Sequence, residues 1–362
     1  MAGHGAAPAP AAAHRDQAPL AAGTKPVRAA ASGAVSRHWR WLLALALLVG
    51  GTVPLVLGGP EAFHDLARLP LGWLLLLLAM IGLCWNLNAW RLRLMLNGRA
   101  PTLGHGSALI TTVATEFSLN ATPGGSGAPF TLAALLSRHG VAPSRATAVL
   151  AVDQLTDMLV FATLLPTVAF YGLARYLDWG AWWQLAVPLG LLLGGLAAVV
   201  LTVRHQRWLL VASGELLAWL GMRRRRRFRL ARATLRFRRG LEETLAVSRR
   251  RLALMFGLCM LHWLLRYSVI YIAVLALGQH LDWAYGFFVQ MVAMGAGHLT
   301  LLPGGAGGAE VAGAALLNPW LGTVTAATVI VIWRFVTFYW YLIVGALLML
   351  YLGARETRPL MS

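Results

Sequence analysis

The sequence predicts an all-α polytopic membrane protein, with six long spans and two Gly/Pro-broken hairpins in an inverted pseudo-repeat. Three observations predict it. First, 58% of the 362 residues are hydrophobic and 12% charged, whereas a soluble chain keeps about a quarter of its residues charged. Second, several stretches run past roughly 18 residues with almost no charge, the length a helix needs to cross hydrocarbon. Third, two near-copies of one motif interrupt apolar sequence: TPGGSGAP at 122–129 and LPGGAGGAE at 302–310. Each leads into an Ala/Leu run with paired leucines, Leu135–Leu136 and Leu316–Leu317.

Along the chain, residues 1–36 are Ala/Pro/Gly-rich, carry no helical period and read as a disordered cytoplasmic tail. The n-region is too long for a signal peptide and no clear cleavage site follows the first apolar run, so that run reads as a retained span. Domain 37–352 then holds spans at about 39–59, 71–92, 146–172, 182–203, 252–278 and 322–352, and 353–362 is a short tail. Two further apolar stretches, about 106–139 and 284–320, contain the Gly/Pro motifs. Each half of these is marginal for a full span and suits a re-entrant hairpin.

Net charge is +18, almost all from arginine; Lys25 is the single lysine. The segment 204–251 carries 15 Arg against three Glu, so it is expected in the cytoplasm. The run Arg223–Arg227 beside spans reads as an anionic-lipid and orientation device rather than a nucleic-acid site. Arg37 and Arg40 before the first span, Arg91, Arg93 and Arg99 after the second, and Arg355 and Arg358 after the last fit the same side. Both termini are then cytoplasmic. The first broken hairpin opens from the cytoplasm and the second from the opposite face. Eight complete spans would give the same parity. Inverted repeats with broken helices around a midplane site are an architecture of secondary transporters.

The chemistry expected of the motifs follows from their backbone. Pro129 suits the first helical position, so a short helix is expected from there to about Arg138. Gly124, Gly125 and Gly127 would let a phosphate approach backbone amides at a helix N-terminus, with Thr122 and Ser126 offering hydroxyls. The alternative is that the glycines only permit close helix packing. In the second motif, Pro303, Gly304, Gly305 and Gly307 lead to Glu310 in the first turn of the next helix. That carboxylate would cap the amides, titrate, or meet a cationic headgroup.

Charges inside spans are the next signal. Asp153 and Asp157 share a helix face, and Asp157 would lie ~16 Å into its span. Arg266 and Arg334 lie similarly deep. Each such charge costs roughly 2.5–3.5 kcal/mol on insertion scales, so all four should face inward, with Asp157 pairing to Arg334 or Arg266. Such a pair would fix helix register or act as a gate. Glu116, Asn120 and His298 on the hairpin arms are candidate lining groups. Cys84 and Cys259 read as small buried hydrophobes, with no disulfide framework or metal set. No Lys follows the glycines as in a phosphate-binding loop, Ala128 breaks a nucleophile elbow, and no HExxH occurs. No cofactor and no catalytic group is expected.

These residues resemble the transmembrane region of lysylphosphatidylglycerol synthase, a flippase-like family, over roughly 71–352. The resemblance rests on the PGG loop with its leucine pair, Arg138 and Gly140, on Asp153–Asp157, on the second loop through Glu310, and on Arg334. Gln154 departs from it, where the family pattern usually has Arg. The resemblance implies lipid translocation, or a membrane role beside lipid or glycan synthesis. Expected partners are anionic, polyprenyl or hopanoid lipids, with a lipid or glycan biosynthesis enzyme as a further candidate and no nucleic acid. Aminoacyl-lipid synthesis needs a separate soluble domain in that family, and none follows 352, so that transferase activity is not expected. The alternatives are a membrane-embedded lipid-modifying transferase and a non-catalytic scaffold. The expected location is the bacterial inner membrane.

Overall fold

The second span runs to Leu96, four residues past its expected end, and Arg91 within it is buried in the protein rather than flanking it. The computed structural model describes residues 32–176 and 246–357, apart from 68 and 99, and a few isolated positions between 232 and 243. The expected span 182–203, most of the Arg-rich segment 204–251, residues 1–31 and the last tail from 358 lie outside the described residues. The chain divides into a short unit, Met1–His38, and the unit Trp39–Ser362, which holds every described helix after the first and the site. All described elements are helical.

Helix α1 runs Ser32–Ala67 and covers residues 39–59, where the first span is expected; residues 32–36 of the expected tail are helical as well. Helix α2, Leu71–Leu96, follows Pro70 and ends on Asn97, whose left-handed backbone (φ 49°) lets its amide donate to the carbonyls of Arg93 and Leu94. Arg91 therefore sits within the helix, not beyond it.

The two motif stretches are both broken. The first is α3 (His105–Ala121), a 3-10 turn (Pro123–Gly125) and α4 (Ala128–Ser137). The second, further along the chain, is α8 (Trp283–Leu299), a matching turn (Pro303–Gly305) and α9 (Gly308–Leu321). At ~1.5 Å per residue α3 and α8 are each about 25 Å long and α4 about 15 Å, short of the roughly 30 Å of a hydrocarbon core. In each stretch the second helix folds back on the first, and the two turns touch each other.

Between the broken stretches come α5 (Pro143–Tyr176), α6 (Arg249–Tyr267) and α7 (Val269–Ala276). Ser248 caps α6 by accepting from the Arg251 amide, and Asp282 caps α8 by accepting from the amides of Ala284 and Tyr285. The chain ends with α10 (Thr323–Arg334), a π-helical turn (Phe335–Tyr339) and α11 (Trp340–Thr357). Among the described residues four helical segments are long and apolar enough to cross a membrane: Leu71–Leu96, Pro143–Leu164, Arg249–Ala276 and Thr323–Leu352.

Helix α2 packs on α3, α6 and α7, and α5 packs on α4, α6 and α8. The largest core joins α2 to the second half through Ile81, Ile270, Leu317, Ile330 and Trp333, all 0% exposed. A second core, around Leu92, Leu136 and Val149, seats the first broken stretch on α2 and α5. Fully buried side chains of this size each contribute about 1.5–3 kcal/mol relative to exposure in water. In hydrocarbon that water-derived gain is largely absent, so tight packing and polar contacts decide which helices associate.

Candidate functional site: a chamber between two broken helices

The two turns share a local design. Gly124 (φ 57°, ψ 20°) and Gly304 (φ 62°, ψ 12°) both occupy the left-handed region, which costs a residue with a Cβ about 1–2 kcal/mol. Their surroundings differ. A Cβ on Gly124 would meet nothing within 4 Å, while one on Gly304 would lie 2.1 Å from the Phe338 ring. Gly304→Ala should therefore lower the thermal midpoint clearly more than Gly124→Ala, which carries the backbone cost alone. Equal shifts measured on the two purified variants would contradict the Phe338 contact.

The turn amides are largely spent within the loops. Gly125 donates to the Thr122 carbonyl and Ser126 to that of Pro123. Gly127 donates to Thr122 Oγ1 at 2.8 Å, and that hydroxyl donates to the Ser118 carbonyl at 2.7 Å. Gly305 and Ala306 repeat the pattern onto the carbonyls of Leu302 and Pro303. The expected amide cradle is thus occupied by the loop itself at Gly125, Ser126 and Gly127. Thr122 acts as a brace, Ser126 is exposed, and Pro123 opens the turn as Pro303, buried, opens the second.

Between the turns lies a cavity of about 100 Å³. Its polar lining is Asn120, Arg266, His298 and the backbone of Gly124, Gly125, Gly304 and Gly305; Leu119, Met294, Gly297, Leu301 and Leu302 complete it. That lining holds a guanidinium and no carboxylate. Asn120 Nδ2 donates to the Glu116 carbonyl at 2.9 Å, and His298 Nδ1 donates to that of Met294 at 2.6 Å, so both side chains are held by their own helices, α3 and α8. Arg138, at the end of α4, is exposed and is not part of the lining.

Arg266 is 8% exposed. It donates to the Tyr341 hydroxyl at 3.0 Å, sits 4.9 Å over that ring, and has Glu116 Oε2 at 3.6 Å. The last distance is within Coulombic reach but beyond a hydrogen bond.

The ion pairs correct the expected partners of Asp157. Arg334 does not reach it: its Nε donates to Glu310 Oε1 at 2.5 Å, with side chains 2% and 0% exposed. Arg334 Nη2 also donates to the Gly304 carbonyl at 2.9 Å, tying the second turn to the last span. Glu310 makes no capping bond to the α9 amides; Gly307 (φ 84°) occupies the cap position. Nor does Arg266 pair with Asp157. The partner is Arg91, 3% exposed, which bridges Asp153 and, at 2.9 Å, Asp157. Asp157 Oδ1 also accepts from Trp263 Nε1 at 3.0 Å and from the Cys259 thiol at 3.1 Å. Arg91 reads in the sequence as a flanking charge, because its apolar run thins there. The signal for its true place was the pair Asp153 and Asp157, one turn apart and in need of a cation.

A multi-pass helical membrane protein whose two broken helices meet at a shared polar cavity is the class this geometry defines. The chain belongs to the lysylphosphatidylglycerol synthase TM region family, whose model matches residues 34–345. It is also similar to a UPF0104 membrane protein of Archaeoglobus fulgidus, 22% identical over 287 residues that cover 76% of this chain and 85% of the relative.

Proposed function

We propose that this protein is a lipid transporter of the inner membrane that moves an amphipathic, phosphate-bearing lipid between leaflets. The observation that carries the reading is Arg266: a buried guanidinium in the wall of the chamber between the two turns, with no carboxylate in the same lining. A buried guanidinium in a lining without a carboxylate, its nearest carboxylate (Glu116) standing 3.6 Å away outside that lining, favours an anionic headgroup, because a low-dielectric wall strengthens its field. In this reading the two broken stretches enter from opposite faces, six long spans frame them, and both termini are cytoplasmic. Alternating access then works by opening the contact between the turns first to one side, then to the other. A cavity of about 100 Å³ holds only a few waters at roughly 30 Å³ each, so it represents the closed constriction. The acyl or isoprenoid chains travel outside it, in lipid.

Purified protein in phosphatidylcholine vesicles should accelerate transbilayer movement of labelled phosphatidylglycerol or a labelled polyprenyl phosphate, with no change in lipid mass. Consumption of a donor with a new lipid mass would instead make it a transferase. Neither movement nor conversion, with retention of a co-purifying biosynthetic enzyme, would make it a scaffold.

A further inference from the structure

A second, smaller cavity lies between α2, α3 and α5, with a volume of about 70 Å³. Its polar lining is Asn88, Thr112, Thr115, Glu116 and Asp153. It is the opposite of the chamber: carboxylates and neutral oxygens, with no cation in the lining. Three observations there need an explanation. Asn88 Oδ1 and Glu116 Oε2 are buried acceptors with no hydrogen-bond donor. Thr111 and Thr115 return their hydroxyls to carbonyls one turn back, at 2.8 and 2.7 Å, whereas Thr112, 8% exposed, makes no such bond. Bare buried acceptors are costly, and native proteins rarely leave them without a partner.

The charges around the cavity do not close. Asp153 and Asp157 share Arg91, and Glu116 faces Arg266. Three carboxylates against two guanidiniums leave one negative charge in this buried network. Amide, hydroxyl and carboxylate oxygens are the donor set of a hard cation, and a deficit of one matches a monovalent ion.

We propose that this cavity binds Na+, held by Asn88 Oδ1, the hydroxyls of Thr112 and Thr115, Glu116 and Asp153. Glu116 lines this cavity and stands 3.6 Å from Arg266, which lines the chamber. A cation beside Glu116 neutralises the carboxylate that faces Arg266 and leaves that guanidinium available to an anion. The Na+ site stands on its own geometry; its role as driving ion rests on the transport reading above.

The test is thermal unfolding of the purified full chain in detergent, with NaCl replaced by KCl or choline chloride at constant ionic strength. The expected result is a saturable, Na+-selective rise of the midpoint. Thr112→Val, which removes the hydroxyl at nearly constant volume, should move the half-saturating Na+ concentration upward at least ten-fold, and so should Asn88→Leu. Equilibrium binding of radioactive Na+ to wild-type protein gives a second readout that needs no variant. An equal rise in KCl and choline, or no bound Na+, overturns the site. Na+ binding together with lipid movement that is indifferent to a Na+ gradient overturns the coupling and leaves the site. Absence of lipid movement with Na+ bound counts against the transporter and not against the cation.

Discussion

Arg334→Met should leave little folded protein, by the largest loss of any single change considered. Glu310 is 0% exposed and its Oε1 meets Arg334 at 2.5 Å. Removing the guanidinium strands a fully buried carboxylate, which typically costs 3–5 kcal/mol. It also leaves the Gly304 carbonyl without its donor. A net stability of about 5–15 kcal/mol leaves little margin for that. The double variant Arg334→Met with Glu310→Leu should recover most of the folded yield, since an apolar pair of similar volume often replaces a buried ion pair at little cost. Detergent size-exclusion profiles and thermal midpoints measure both. Wild-type behaviour of the single variant would contradict the buried pair.

Arg266→Gln should cut movement of labelled phosphatidylglycerol at least ten-fold while the protein still inserts and folds. Glutamine retains a donor for the Tyr341 hydroxyl but loses the charge. The folding cost should be modest, because Glu116 is 16% exposed and stands 3.6 Å away. Pairing the change with Glu116→Gln removes even that imbalance. The double variant should therefore match wild-type stability more closely and remain slow. A wild-type rate for either variant would remove the anion-binding reading of the chamber.

What the sequence showed well was local. Pro and Gly act on their own backbone, so both breaks, the start of α4 near Pro129 and the shared conformation of Gly124 and Gly304 follow from residue type. Asp153 and Asp157 share a face because four residues make about one helical turn. The partners were not legible in the same way. Arg91 and Asp157 are separated by 66 positions in the chain, and Arg334 and Glu310 by 24. Only helix packing decides which of several buried cations meets which carboxylate. Arg91 mattered most here: in the sequence it counts among the charges flanking the second span, and the packing of α2 against α5 turns it inward onto Asp153 and Asp157. The amide cradle expected at Gly125 and Gly127 also depended on something composition does not carry, namely that Thr122 accepts the Gly127 amide.

The wide turn at Phe335–Tyr339 sets the azimuth of everything after it. One surplus residue there rotates the downstream helix by roughly 100° relative to an uninterrupted one. Arg334, upstream, addresses Glu310; Tyr341, downstream, addresses Arg266; Tyr339 donates its hydroxyl to the Leu47 carbonyl at 2.9 Å. Without the surplus residue these three appointments could not be kept by one rod. Sliding the surplus one turn toward the C-terminus would swivel Tyr341 away from Arg266 while Arg334 stayed on Glu310.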